Sequence, residues 1–203
     1  MTRGRFVVFE GGEGCGKSTQ SARLAVRLDA LLTREPGGTD IGTEIRALLL
    51  GRSTQGLSDR AEALLMAADR AQHVAETIEP ALAAGRHVVC DRYLGSSVAY
   101  QGYGRELDPD EVRDLSLWAT GGLLPDLVVL LVVPAAEADR RTGGARDRIE
   151  DAGAAFHQRV ADGFLAQADA DPDRWVVVDG AGTLEEVGAA VDAAVHERLG
   201  LRP

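Results

Sequence analysis

Short runs of apolar residues alternate along the chain with longer stretches in which apolar residues recur at helical spacing. The runs predict five strands, at residues 6–10, 31–34, 87–91, 127–133 and 174–179. The helical spacing predicts helices at about 17–32, 41–51 and 59–84. Capping patterns start two more helices, at Asp108 and Thr183. Because apolar strands that alternate with helices form covered parallel sheets, we expect one α/β domain over residues 1–203, with about five parallel strands flanked by helices.

A glycine-rich segment joins the first predicted strand to the first predicted helix. It reads Gly11-Gly12-Glu13-Gly14-Cys15-Gly16-Lys17-Ser18-Thr19 and fits G-x-x-x-x-G-K-[ST] at every fixed position. Glycines let backbone amides wrap the phosphates of a nucleotide, and the helix N-terminus adds partial positive charge. We interpret the segment as an ATP-binding P-loop, in which Lys17 reaches the β- and γ-phosphates and Ser18 binds Mg²⁺.

Composition narrows the classes of ligand. A formal net charge of −10, with four Phe, three Tyr and two Trp, argues against a protein that coats nucleic acid. The two cysteines and four scattered histidines form no zinc-ligand pattern. The longest apolar run, 127–133, is far shorter than the roughly 20 residues of a membrane-spanning helix. We expect a cytoplasmic protein with small anionic ligands and no membrane partner.

Glu13 is an unusual residue for a loop that holds phosphates, because its carboxylate is repelled by the ligand. One interpretation is that it faces a hydrogen-bond donor, such as a sugar hydroxyl of a second substrate. The other is that it is a solvated loop residue that points outward.

Further motifs occur in a fixed order along the chain. They are Arg34-Glu35-Pro36-Gly37-Gly38-Thr39, Asp91-Arg92-Tyr93 through Tyr100-Gln101-Gly102, and Asp147-Arg148-Ile149-Glu150. With the P-loop, they make the chain resemble the bacterial thymidylate kinases nearly end to end. The resemblance implies a three-layer P-loop kinase fold with a short lid at about 140–150. It also implies transfer of the γ-phosphoryl group of ATP to dTMP, giving dTDP for dTTP biosynthesis, with Mg²⁺ as cofactor and a homodimer as the assembly.

The resemblance assigns roles at the centre of the reaction. Asp91 supports Mg²⁺ together with Ser18, and Arg92 holds the phosphates between donor and acceptor. By position alone, the alternative interpretation is that Asp91 caps the helix that follows its strand. Lys17, Arg92 and Arg146 are the predicted catalytic residues.

The resemblance also implies a pocket for dTMP. Ser97, Tyr100 and Gln101 line the space for thymine and deoxyribose, with Tyr100 placed to exclude a 2′-hydroxyl. Arg46 grips the monophosphate and Arg70 reads the thymine edge. From the residues alone, the first three are ordinary loop positions and both arginines could lie on the surface. The full predicted substrate set is Glu13, Glu35, Arg46, Met66, Arg70, Arg92, Ser97, Tyr100 and Gln101.

Met66 departs from the family pattern. Relatives usually have phenylalanine there, and its ring stacks on thymine. Methionine still offers a polarizable face, worth about 0.3–1.5 kcal/mol against an aromatic ring.

Arginines cluster around Gly143 and Gly144, in the segment that matches the lid. They are Arg140, Arg141, Arg146 and Arg148. The P-loop has no arginine at its variable positions, and in relatives of that kind the lid supplies the charge. Arg140 and Arg141 are assigned to ATP, and Arg146 to catalysis because it precedes the last motif. A solvated helix end is the other interpretation of the cluster.

Two other functions are compatible with a P-loop. One is a kinase with a different nucleoside or nucleotide acceptor, and the other is a switch ATPase that binds a protein partner. The long predicted helix at 59–84 could supply a dimer interface or could pack in the core.

Overall fold

Five parallel strands form the central sheet in the computed structural model, which describes residues 2–51, 56–142 and 148–202. They are β1 (Phe6–Glu10), β2 (Leu31–Arg34), β3 (Val88–Asp91), β4 (Leu127–Val132) and β5 (Trp175–Asp179). Their order is β2-β3-β1-β4-β5, and every neighbouring pair is parallel. All five predicted strands are confirmed to within a residue at each end.

Helices cover the sheet on both sides. They are α1 (Lys17–Arg27), α2 (Asp40–Leu50), α3 (Asp59–His73), α4 (Glu79–Ala83), α5 (Leu94–Ser97), α6 (Pro109–Ala119), α7 (Ala135–Arg141), α8 (Ala154–Ala170) and α9 (Leu184–Leu199). Two π-helical segments, Val74–Ile78 and Val98–Gly104, and a 3₁₀ turn, Glu150–Ala152, complete the described elements.

The core lies on both faces of the sheet. Along β1, Phe6 and Val8 pack on one face with Phe156 and Phe164 of α8. Val7 and Phe9 pack on the other face, in a cluster that includes Leu24 of α1 and Val191 of α9. Since successive side chains of a strand point to opposite faces, a strand buried throughout must be covered twice. The predicted three-layer α/β fold is confirmed.

The connections leave a crevice at the carboxyl ends of the strands. From β1 the chain first forms β2 and β3 on one side of β1 and then crosses to form β4 and β5 on the other side. β1 therefore pairs with both β3 and β4. Open α/β sheets bind ligands at such a switch point. Here it brings the segment after β1 beside Asp91 and Arg92 at the end of β3.

Two predicted helices differ in detail from the structure. The first ends at Arg27, and Leu31 belongs to β2, because Asp29 adopts a left-handed conformation (φ 49°) that turns the chain. The second runs from α3 to α4 through a π-helical segment. Pro80, in the first turn of α4, has no amide hydrogen to continue the helical ladder.

Three helical regions lie where the pattern predicted none, at α7, at α8 and at residues 94–104. Ser97, Tyr100 and Gln101 are therefore buried residues on a continuous helical segment, and their interpretation as loop positions is wrong. In the part of the chain that the structure describes, no helix is both long and apolar enough to cross a bilayer.

Candidate active site

The loop between β1 and α1 has a backbone that its glycines alone can adopt. Gly11 has φ 140°, and a Cβ there would lie 2.4 Å from the carbonyl oxygen of Leu131. Gly16 caps α1 with φ 94°, in the left-handed region. The Lys17 side chain is buried, and its Nζ donates to the Gly12 carbonyl oxygen at 2.6 Å. The only lysine ammonium therefore lies against the loop, where phosphates would displace it from a backbone oxygen.

Ser18 and Asp91 meet at the entrance to α1. The Ser18 hydroxyl donates to Asp91 Oδ2 at 2.5 Å, and Asp91 Oδ1 is a buried oxygen with no hydrogen-bond partner among the described residues. Mg²⁺ usually takes one or two protein oxygens and completes its shell with water and phosphate oxygens. A hydroxyl beside a carboxylate with an unused oxygen fits that requirement. The described residues contain no cluster of three or more His, Cys, Asp or Glu that could hold a metal by themselves.

Arg92 connects the phosphate loop to the pocket beside it. Its Nη1 donates to the Gly11 carbonyl oxygen at 3.0 Å and to Ser96 Oγ at 3.1 Å. Its Nη2 donates to the Tyr100 hydroxyl at 3.2 Å and to a carboxylate oxygen of Glu13. The Arg92 backbone has φ 72°, which costs a non-glycine residue on the order of 1 kcal/mol. The fold thus holds one cation rigidly between two parts of the crevice.

Glu13 faces these donors rather than solvent alone. Its carboxylate contacts the Arg92 guanidinium and accepts a 3.3 Å hydrogen bond from the Tyr100 hydroxyl. The Arg92 charge is the main reason that its pKa falls from 4.5 to about 2, against the opposing effect of burial. Glu13 is therefore ionised at neutral pH. The prediction that this carboxylate faces hydrogen-bond donors agrees with the geometry, and here the donors belong to the protein.

A cavity of about 200 Å³ lies in the crevice next to Arg92. It brings together twelve predicted site residues, namely Glu13, Lys17, Ser18, Glu35, Arg46, Met66, Arg70, Asp91, Arg92, Ser97, Tyr100 and Gln101. Ser96, Ile149 and His157 also line it. The twelve predicted residues come from positions 13 to 101 of the chain and share one concave site, with acidic and basic groups along its walls.

Arg70 is buried in the wall of this cavity. Its Nε donates to Glu35 Oε2 at 2.8 Å, and its two other nitrogens donate to Ser116 Oγ, Ser97 Oγ and the Tyr93 carbonyl oxygen. His73 Nδ1 lies 2.9 Å from the second Glu35 oxygen. The interpretation of Arg70 as a surface residue is wrong, because its side chain is buried. Its fixed hydrogen-bond partners make the Arg70 guanidinium a preorganised donor.

Arg46 reaches the cavity from α2. Its Nη1 donates to the Pro36 carbonyl oxygen at 2.8 Å, and its side chain packs on Gly37. Arg46 therefore approaches the cavity along the segment after β2.

Arg140 and Arg141 of α7 are not among the residues that line the cavity. Arg140 is 74% exposed and pairs with Glu137. Arg141 Nε donates to Glu137 at 2.8 Å, and its Nη1 donates to the Gly180 carbonyl oxygen at 3.0 Å. Arg146 lies outside the described residues. α7 does touch the P-loop, since a Cβ on Gly14 would lie 2.7 Å from the Ala138 carbonyl oxygen.

Glu10 was missed from the sequence, because it looks like the polar end of a buried strand. Its carboxylate is fully buried and accepts hydrogen bonds from Ser96 Oγ at 2.6 Å and from the amides of Tyr93 and Ser96 at 3.0 Å. Ser96 Oγ in turn accepts from Arg92. Burial raises the Glu10 pKa from 4.5 to about 7, although Ser96 and the Arg92 charge lower it in part.

This raised pKa predicts a pH-dependent loss of stability. The folded protein holds a proton on Glu10 up to about pH 7, whereas the unfolded chain releases it near pH 4.5. Stability therefore falls as the pH rises between these values, by on the order of 3 kcal/mol. Glu10→Gln cannot titrate, so the difference in unfolding free energy between wild type and variant should change by this amount from pH 4 to pH 8. Urea denaturation at both pH values measures it, and parallel pH profiles would contradict the assignment.

Glu62 of α3 is a second residue missed from the sequence. It is fully buried and accepts hydrogen bonds from Gln101, Arg105 and Arg148. Burial opposes its ionisation, but these three hydrogen bonds together hold its pKa below the usual value. No local motif marks Glu62, because its partners come from distant segments.

The chain is similar to known proteins over nearly its whole length. Residues 9–191 match the model of the thymidylate kinase family. A thymidylate kinase from Bifidobacterium longum is 51% identical over 202 residues, which cover 96% of this chain and 98% of that protein. One from Clavibacter michiganensis is 53% identical over 196 residues, covering 93% and 92%. The crystal structure of thymidylate kinase from Ehrlichia chaffeensis matches with a TM-score of 0.80 at 31% identity, covering 95% of this chain and 99% of that one.

Proposed function

The chain belongs to the thymidylate kinase family and phosphorylates dTMP with ATP, and from this premise we propose how its side chains divide the work. The P-loop holds the ATP phosphates, and the cavity beside it holds dTMP. Arg92 lies where the two phosphate groups meet. The observation that carries this proposal is its pair of contacts, with the Gly11 carbonyl of the loop on one side and the Tyr100 hydroxyl of the cavity on the other.

The reaction needs charge neutralisation more than proton removal. The acceptor phosphate has a second pKa near ~6 and is mostly ionised at neutral pH, so no general base has to create the nucleophile. The difficulty is to align two polyanions, which repel each other. Lys17 and Arg92 supply fixed positive charge where negative charge moves during transfer. Arg146, with Arg140 and Arg141 on the neighbouring lid helix, adds charge from the lid.

Mg²⁺ fits the Ser18 and Asp91 pair described above. When bound there it neutralises phosphate charge and orients the transferred group. Ser18 supplies its hydroxyl, and Asp91 supplies the carboxylate oxygen that has no other partner among the described residues.

The acceptor site is built from groups that can recognise each part of dTMP. Arg46 binds the monophosphate, and Tyr100 closes the space beside the deoxyribose. Glu35 holds Arg70 toward the cavity, where Ser97 shares its guanidinium. Arg70 and Gln101 face the base from different elements.

Met66 lies in the cavity wall where a phenylalanine would stack on the base. We expect Met66→Phe to lower the KM for dTMP about threefold to tenfold, because a ring that stacks on a base contributes about 1–3 kcal/mol, whereas a methionine side chain contributes about 0.3–1.5 kcal/mol. Steady-state kinetics with dTMP varied at saturating ATP measures this. Leu50→Met, on the same cavity, is the matched control and should leave KM within twofold. An unchanged KM in Met66→Phe would mean that position 66 does not contact the base.

We also propose a cytoplasmic homodimer. Trp118 of α6 is 82% exposed and Leu64 of α3 is 58% exposed, and these two helices contact each other. Large apolar side chains exposed on neighbouring helices suit an interface between copies of the chain. α3 would then pack in the core with its buried face and form part of the dimer interface with its exposed face.

A panel of acceptors tests the proposed function. In a coupled assay of ADP release, dTMP should be the best acceptor among deoxynucleoside and ribonucleoside monophosphates. ADP release without any acceptor should be at most about 1% of that rate. A better acceptor than dTMP would contradict the assignment of the pocket, and fast release without acceptor would indicate a switch ATPase.

A further inference from the structure

Glu62 is a buried carboxylate at the edge of the base pocket and has no role in the scheme above. Its Oε1 accepts from Gln101 Nε2 at 2.9 Å and from Arg105 Nε at 3.2 Å. Its Oε2 accepts from Arg105 Nη2 at 3.1 Å and from Arg148 Nη2 at 2.6 Å. Two guanidinium groups thus neutralise it, and each hydrogen bond of its oxygens to a described residue comes from a donor.

An ionised carboxylate can only accept hydrogen bonds, and this property fixes the orientation of Gln101. A glutamine amide has an NH₂ end that donates and an oxygen end that accepts. The NH₂ end must therefore face Glu62, and the oxygen end must face away from it. If the amide were turned over, its oxygen would meet a carboxylate oxygen at 2.9 Å, with no hydrogen between them.

The oxygen end of Gln101 is left without a partner. The side chain is fully buried and lines the cavity, and its Oε1 has no hydrogen bond to any residue that the structure describes. A buried acceptor without a donor is costly, and such atoms are rare in folded proteins. A hydrogen-bond donor on a molecule that fills the cavity would supply the missing partner.

We propose that Glu62 is a positioning residue that fixes the sense of the Gln101 amide and so makes the pocket select pyrimidines that carry a hydrogen on N3. The inference rests on the proposed assignment of Gln101 to the base pocket. Thymine and uracil have an N3–H that donates to Gln101 Oε1. Cytosine has a lone pair on N3, which would face that oxygen and repel it. Glu62 therefore sets the preference for thymine and uracil over cytosine, although it does not contact the base.

Glu62→Gln tests the proposal, because a second amide can donate as well as accept and lets Gln101 turn over. The acceptors are dTMP, 5-methyl-dCMP, which keeps the methyl group but lacks the N3–H, and dUMP, which keeps the N3–H. We expect the preference for dTMP over 5-methyl-dCMP, measured as kcat/KM or as competitive Ki, to fall about 10- to 100-fold. The preference for dTMP over dUMP should stay within twofold. Lower rates for all three with an unchanged preference would show a merely structural role and overturn the proposal.

Arg105→Gln is the matched control. It removes a partner of Glu62 but keeps the acceptor-only carboxylate, so it should retain the preference for dTMP over 5-methyl-dCMP. If Glu62→Gln fails to fold because two arginines lose their anion, the double variant Glu62→Gln with Arg105→Gln removes one of these charges. Compared with Arg105→Gln alone, it should show the same 10- to 100-fold fall, and an unchanged preference would overturn the proposal.

Gln101→Met separates this inference from the assignment on which it rests. In that background Glu62→Gln should change the preference no further, because Glu62 acts through Gln101. If Gln101→Met alone leaves the preference unchanged, Gln101 does not read the base and both assignments are wrong. If Gln101→Met removes the preference and Glu62→Gln does not, only the role of Glu62 is wrong.

Discussion

Replacing Lys17 with alanine is expected to lower kcat for dTMP at least about 100-fold while the fold is retained. Lys17 is the single lysine among 22 basic residues, and its Nζ already lies 2.6 Å from a P-loop carbonyl oxygen. Without this ammonium, the β- and γ-phosphates of ATP lose the positive charge that Lys17 supplies beside them. Turnover of saturating ATP and dTMP measures the effect, and circular dichroism checks the fold.

Two further variants make the Lys17 result specific. Lys17→Arg keeps the charge but replaces a compact ammonium with a wide planar fork, so we expect it to lose most of the activity as well. Arg86→Ala removes one exposed charge at the amino end of β3, far from the crevice, and should keep kcat within twofold. Near-normal turnover in Lys17→Ala would contradict the assignment of the P-loop.

Arg92→Lys is expected to lower kcat about 100-fold with a much smaller change in the KM of either substrate. Lysine keeps the charge but cannot contact Gly11, Ser96, Glu13 and Tyr100 at once, as the guanidinium does. The lost contacts matter most where charge is shared between donor and acceptor in the transition state. Separate measurement of kcat and KM distinguishes this from weaker binding.

Arg23→Lys is the matched control for Arg92→Lys. Arg23 also uses both ends of its fork, toward Asp192 at 2.9 and 2.7 Å, but it joins α1 to α9 away from the crevice. It should lose some stability and keep kcat within twofold. A similar fall of kcat in both variants would contradict a specific role of Arg92 in transfer. It would mean that any arginine with a bidentate contact is needed to maintain the fold.

The strands and the P-loop could be predicted because their information is local. Five apolar runs mark the sheet, and one nine-residue segment carries both the glycines and the lysine of the phosphate site. The position of Asp91 and Arg92 at the carboxyl end of a buried strand marks them as crevice residues, but their roles required the family resemblance. The rest of the pocket required the family resemblance, because Ser97, Tyr100 and Gln101 carry no local signal of burial.

Glu62 and Glu10 could not be predicted in this way. Glu62 contacts Gln101 and Arg148, which are 39 and 86 positions away in the sequence. Glu10 contacts Ser96, which is also 86 positions away. Such pairs depend on how separate elements pack, which the hydrophobic pattern does not specify. For Glu10, a charged residue in an otherwise buried strand is the one available signal. Glu62 gives no such signal, because α3 also carries exposed residues such as Leu64.

We propose above all that Arg92 acts in the transfer of the phosphoryl group between two bound phosphate groups. Single-turnover chemical quench tests it, with enzyme in excess over γ-labelled ATP and with saturating dTMP. We expect Arg92→Lys to bind the label as fully as the wild type and to transfer it to dTDP about 100-fold more slowly. Equal transfer rates, or a loss of binding that accounts for the whole defect, would contradict the claim.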